Sequence, residues 1–292
     1  MGLVFPVLPF IVQPYVSNAG DLAFAVGAID AIYAACALIA APLLGALSDR
    51  VGRRPVLVAS LLGSAAGWAI FGLGGALWVF VLARIVDGLP RATCRSPSHT
   101  SPTSRPRRTA RSGSLAGAVS GVGFLVGPAL GGMLAPISLT LPLFLAAAIT
   151  GLTALLALVA LPESLTPEQR ANAKPADLNP IRPLVDALRR PHLGPLVLGF
   201  GLLGLVMALM VTNLPVLALD AVGWEPLQIG LLLSGVGVAD IIVQGVLLGV
   251  LLKVMGERGV VLAGIAGMGV SSAMIALVGS VLPRPGSCSP LR

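Results

Sequence analysis

Charge is what this sequence has least of. Of its 292 residues only 11% are charged, twelve acids and nineteen bases. A soluble domain carries about 25%, and so few charges cannot clothe a globule of this length in water. A soluble enzyme is excluded, and so is a disordered chain, because 56% of the residues are hydrophobic. Cysteine is nearly absent, and three residues cannot build a disulfide scaffold. Lysine is rarer still, with two against seventeen arginines. There is no nucleophile, metal-ligand or nucleotide-binding pattern, and His99 and His192 have no partner at metal-ligand spacing. ATP-driven chemistry and enzyme activity are therefore not expected. Met1 is followed by apolar sequence with no basic stretch, so no cleavable signal peptide is expected.

Apolar sequence is abundant instead, at a mean hydropathy of +0.94. A helix crossing the hydrocarbon core needs about 20 apolar residues. Such runs lie near 23–47, 55–74, 115–134, 141–161, 193–219, 228–252 and 259–282, with shorter ones at 3–16 and 76–89. The pattern predicts an all-α polytopic membrane protein of nine spans embedded in a lipid bilayer. Bases mark alternate loops: Arg50, Arg53 and Arg54, then the 90–113 segment, then the 162–192 loop, then Lys253 and Arg258. The loops between carry none, which puts the basic loops, including 162–192, on the cytoplasmic side.

The loop between spans two and three reads Gly45-Ala-Leu-Ser-Asp49-Arg50-Val-Gly52-Arg53-Arg54-Pro55. Gly45 suits a close helix approach, Gly52 a tight reversal, and an Asp just before a helix can accept its backbone N–H groups. This stretch resembles the G-x-x-x-D-R-x-G-R-R signature of the major facilitator superfamily. Pro6-Val-Leu-Pro9 resembles the P-V-L-P of its twelve-helix drug exporters, including the tetracycline-resistance group. Arg84-Ile-Val-Asp87-Gly88 resembles the family's R-x-x-x-G, whose arginine is associated with proton transfer. Span five, with Gly117, Gly121, Gly123, Gly127, Pro128, Gly131 and Gly132, resembles the antiporter motif G-x8-G-x3-G-P-x2-G-G, departing from it at Ser114. Its glycines four apart make small-residue stripes for helix packing.

A fainter echo lies later in the chain. Gly249, Gly256 and Arg258 repeat Gly45, Gly52 and Arg54 at an offset of 204 residues, as internal repeats in transporters would. Span eight is then the counterpart of span two. The division is a first bundle over 1–161, a linker over 162–192 and the first three helices of a second bundle over 193–282.

Ionisable residues within spans are functional candidates, because a charge at the bilayer centre costs about 2.5–3.5 kcal/mol on insertion scales. Arg84 with Asp87 is a candidate proton-coupling pair by the resemblance. Asp30, Asn213, Asp240 and Gln244 are candidates for lining a central cavity. Gln13 is a weaker one, and Met207 and Met210 are expected to face lipid or pack.

Residues 90–113 stand apart: six Arg, four Pro, and neither an acid nor a large aliphatic residue. Arg84 to Gly127 is 43 residues, the separation the resemblance leads one to expect. Ordinary length with alien composition suggests a reading-frame change restored near Leu115. A genuine basic loop on anionic lipid is the alternative; no aromatic interleaves the arginines, so no nucleic-acid partner is expected. The tail 283–292 has the same character, and nine spans of a twelve-span design are expected.

The resemblance implies a monomeric secondary transporter of a bacterial inner membrane. It would export small drugs in exchange for protons, driven by the proton gradient without a cofactor. The alternatives are a non-transporting fragment of such a protein and a solute importer of the same fold.

Overall fold

The computed structural model of the chain describes residues 2–89, 121–163, 181–191, 193–243 and 247–281. Those residues fold into helices and turns: α1 (Leu8–Val12), α2 (Ala19–Val51), α3 (Arg53–Leu73), α4 (Leu77–Gly88), α5 (Gly121–Leu134), α6 (Leu141–Ala160), α7 (Ile181–Leu188), α8 (Gly194–Val222), α9 (Pro226–Ile242) and α10 (Leu248–Val281). Among them four are long and apolar enough to cross a bilayer: Gly20–Val51, Arg53–Leu73, Leu141–Ala160 and Gly194–Asp220. Gly121–Leu134, Pro226–Ile242 and Arg258–Met274 are shorter apolar helices.

The helix ends follow from local chemistry. Asn18 caps α2 by accepting the Asp21 amide at 2.8 Å, and Asp21 sits where the helix dipole favours an acid. At about 1.5 Å per residue the 33 residues of α2 reach roughly 50 Å, well beyond the predicted 23–47. Gly223 closes α8 in the left-handed conformation, and it and Trp224 return their N–H groups to Leu219 and Ala218, both at 3.1 Å. A reciprocal Glu225–Gln228 capping box then starts α9 on Pro226.

One predicted span takes a different form: the first is a five-residue α1 extended by a 3-10 turn over Gln13–Tyr15. The short run 76–89 is α4, Leu77–Gly88, within one residue of its predicted bounds. Over the run 228–252 the described residues are helical from Pro226 to Ile242 and again from Leu248, and Gly256, with φ 67° and ψ 173°, turns the chain between Lys253 and Arg258, where the predicted spans eight and nine part.

The bundle closes around α1, α2, α3, α4 and α6, with Val7, Val26, Phe71, Phe80 and Leu143 fully buried. Phe80 is the centre of its aromatic part, 4.8 Å from the Phe71 ring and edge-on to Tyr15 at 5.5 Å. α8 joins through Val216 and runs along α2. Large apolar residues on the outer faces, such as Phe24, Leu155, Phe200 and Met207, are exposed. Lipid rather than water suits such a surface.

Candidate functional site

α4 is sunk into the bundle by two glycines. A Cβ on Gly67 of α3 would lie 2.8 Å from the Asp87 Cβ, and one on Gly88 would lie 2.8 Å from the Tyr33 carbonyl of α2. No larger residue fits at either contact. Arg84 and Asp87, three residues apart, thereby face inward at 4% and 2% exposure. The Arg84 Nη2 lies 3.2 Å from Oδ1 of Asp30 on α2, and its Nη1 3.9 Å from Oδ2 of Asp87. Phe71, Trp68 and Tyr33 surround the guanidinium, with ring centroids at 5.0, 5.2 and 5.7 Å. A buried cation is tolerable only with such company: two carboxylates supply charge and three rings supply quadrupole attraction.

Asp30 has a further partner. The Thr212 hydroxyl of α8 donates to its Oδ2 at 3.2 Å. A cavity of about 190 Å³ opens here, lined by Phe5, Asp30, Trp68 and Arg84 from the first part of the chain and by Val211 and Thr212 from α8. One guanidinium faces two carboxylates, so this group of three is neutral when one carboxylate carries a proton.

The Gly45–Pro55 loop is built differently. Gly52, at φ 122° and ψ 152°, makes the reversal in a conformation only glycine adopts readily. Asp49 is exposed on the last turn of α2. The amides opening α3 go instead to Glu163, just past the end of α6: Arg53 N–H donates at 3.0 Å and Arg54 N–H at 3.3 Å. The Arg54 guanidinium also donates to the Leu158 carbonyl. A carboxylate on free amides at a helix N-terminus satisfies both hydrogen bonding and the dipole. Proximity in the chain favours Asp49 for that role, but Glu163, 110 residues from Arg53, takes it. Its only signal was a lone acid after Pro162. Gly45 meets no atom within 4 Å among the described residues, so no close helix approach depends on it there.

The span-five glycines form two seams. Gly127 and Gly131 lie against Gly2 and Leu3, while Gly132 faces Pro226 of α9, where a Cβ would come within 2.7 Å of the carbonyl. Gly230 returns the contact, since a Cβ there would come within 2.5 Å of the Pro128 carbonyl, and one on Gly121 would meet Ile241. Gly123 faces open space among the described residues. Gly117 lies outside the described residues.

The other cavity candidates are placed elsewhere. Asn213 turns its amide to the Leu209 carbonyl of its own helix at 3.0 Å; its neighbour Thr212 reaches the cavity. Asp240 is exposed on α9 and does not line this cavity. Gln13 is exposed in the 3-10 turn. Gln244, the 90–113 segment, the 283–292 tail and residues 164–180 of the linker lie outside the described residues.

The family model of the Major Facilitator Superfamily matches residues 1–287. The class G tetracycline resistance protein of Vibrio anguillarum is 35% identical over 279 residues, which cover 94% of this chain and 70% of that one. The class E tetracycline resistance protein of Escherichia coli is 32% identical over 281 residues, 95% of this chain and 69% of that one. Among solved structures, the human organic anion transporter MFSD10 (TETRAN) superposes with a TM-score of 0.57 at 22% identity. That match covers 84% of this chain and 67% of that one, a likeness of fold.

Proposed function

The chain belongs to the major facilitator superfamily, a family of transporters, and from that premise we propose that it exports small drugs in exchange for protons by alternating access between two helical bundles. The observation that carries the proposal is the Arg84 cluster. Its one guanidinium and two carboxylates, Asp30 and Asp87, hold a single proton when neutral. The cluster lies on a cavity walled by α2, α3 and α4 on one side and by α8 on the other. Gain or loss of that proton changes charge at the seam along which two bundles would rock. The names of the relatives, tetracycline resistance proteins, support a drug as the substrate. The glycine seams of α5 against Leu3 and α9 supply the close, smooth contacts on which such a motion can turn.

In this reading the proton gradient is the energy source, no cofactor is bound and no covalent chemistry occurs. The chain works as a monomer in a bacterial inner membrane. The alternation of basic and base-free loops supports a cytoplasmic position for the 162–192 linker. The two bundles are 1–161 and the helices from 193 onward.

Vesicles containing the purified chain test this. With an imposed proton gradient they are expected to move tetracycline against its concentration and to move protons the opposite way. Arg84→Ala is expected to abolish both movements. Drug movement with the proton, in the same direction, would make the protein an importer; drug movement unaffected by Arg84→Ala would remove the cluster from the mechanism.

A further inference from the structure

Asp30 stands between helices from different halves of the sequence. Its Oδ1 is 3.2 Å from Arg84 on α4, and its Oδ2 accepts the Thr212 hydroxyl of α8 at 3.2 Å. Its side chain is 26% exposed, against 3% for Asp87, and of these two carboxylates only Asp30 lines the cavity. A proton arriving through the cavity therefore meets Asp30 first. Among the described residues, Arg84 and Asp87 on α4, and Tyr33 one turn along α2, are the titratable groups of this cluster and its cavity. The residues that line the cavity with it from α3, from the segment leading into α1 and from α8 do not titrate: Trp68, Phe5 and Thr212 with Val211.

We propose that Thr212 is a positioning residue of the proton-coupling site. Its hydroxyl ties α8 to α2 while Asp30 is ionised and loosens when Asp30 takes a proton. This deepens the drug–proton exchange reading and rests on it for its purpose. The step is proton transfer alone: an O–H bond forms on Asp30, and the proton comes from water admitted to the cavity. A hydrogen bond to a carboxylate is roughly twice as strong as one to a neutral acceptor, and the new O–H needs an acceptor of its own. Both effects weaken the hold on Thr212 and on Arg84, which keeps Asp87. α8 is built to respond there. Pro215, buried inside the helix, removes the amide that would close on the Val211 carbonyl, leaving a point of bending beside Thr212.

The test measures the distance between α2 and α8 against pH in the full chain. Nitroxide labels at Phe24→Cys and Val222→Cys, both exposed, are introduced with the three native cysteines replaced by alanine. Spectra are taken in lipid nanodiscs between about pH 4 and pH 9. Two distance populations are expected, their ratio changing about tenfold over the titration, the size of one charge-assisted hydrogen bond. Thr212→Ser keeps the donor and is expected to titrate like the parent. Thr212→Val, equal in size, and Asp30→Asn are expected to change less than about twofold. A Thr212→Val protein that titrates like the parent, or a parent whose distances ignore pH, would overturn the proposal. Vesicles made from the same proteins separate the two readings. Absent drug–proton exchange with an intact, Thr212-dependent titration would sink the export reading and leave the α2–α8 tie standing.

Discussion

The Arg84 cluster and the Gly52 loop use the same parts to opposite ends. Each sets arginine residues of the chain, one in the cluster and two in the loop, against a carboxylate from a distant helix or its end. In the cluster the guanidinium itself is the object, held at 3.2 Å by Asp30 and ringed by Phe71, Trp68 and Tyr33. In the loop the carboxylate of Glu163 takes backbone amides, while the Arg54 side chain turns to a carbonyl. Burial accounts for the difference. A desolvated charge must be neutralised by charge, whereas a partly exposed helix end is content with one carboxylate across its free amides. In the proposed exchange, charge in the first place is read out as motion; in the second it fastens α3 to α6.

The largest expected effect comes from breaking the cluster. Arg84→Met removes the cation that Asp30 and the buried Asp87 share and is expected to cost about 3–5 kcal/mol. Neutralising the whole set in an Arg84→Met, Asp30→Asn, Asp87→Asn protein removes the uncompensated charge. Most of that stability is expected to return, while drug–proton exchange stays lost. Equilibrium unfolding in mixed micelles, beside the vesicle assay, checks both. A triple variant as unstable as the single one would mean that packing, not charge balance, holds α4 in place.

Gly67→Ala sharpens the same point from the steric side. The added methyl would lie 2.8 Å from the Asp87 Cβ and 2.9 Å from the Asp87 amide nitrogen. Backbone cannot yield as a side-chain tip can, so a loss of about 1–3 kcal/mol is expected, with α4 pushed off α3. Gly27→Ala on α2, where nothing lies within 4 Å among the described residues, is the control and is expected to be neutral or slightly stabilising. Equal losses at both positions would show that the glycines matter as backbone and not as contacts.

How much of this could be read from residues alone depends on how local each cause is. Gly52 was legible because a reversal is a property of a few consecutive residues. Its echo at Gly256 was legible for the same reason, and both glycines carry positive φ, 122° and 67°. Arg84 and Asp87 were legible as a pair because helical spacing puts them on one face. Asp30 was legible as a charge in a span, but its pairing with Arg84 was not, since nothing in the order of residues says which helices touch. Thr212 was passed over for Asn213, because a hydroxyl is an unremarked residue in an apolar run until its neighbours are known. The start of α2 was missed for a simpler reason: hydropathy sums respond to composition, and this helix starts four residues early on a single capping group, Asn18.

Glu163 against Asp49 offers the smallest and most discriminating contrast. Both are acids near the start of α3, and sequence proximity favours Asp49. Geometry favours Glu163, whose oxygens lie 3.0 and 3.3 Å from the Arg53 and Arg54 nitrogens. Glu163→Gln keeps one acceptor but loses the charge and one of the two hydrogen bonds, and is expected to cost about 1 kcal/mol. Asp49→Asn changes an exposed residue on the last turn of α2 and is expected to stay within about 0.5 kcal/mol. It also removes a negative charge from the end of a helix whose dipole disfavours one there, so any small effect should be stabilising. Unfolding in mixed micelles at low and at high salt reads both variants. The Glu163 loss should shrink as salt screens the charge but should not vanish, because its amides remain without their acceptor. If Asp49→Asn proves the costlier change, the cap on α3 belongs to the adjacent acid, and the loop and the cluster differ less than their geometry says.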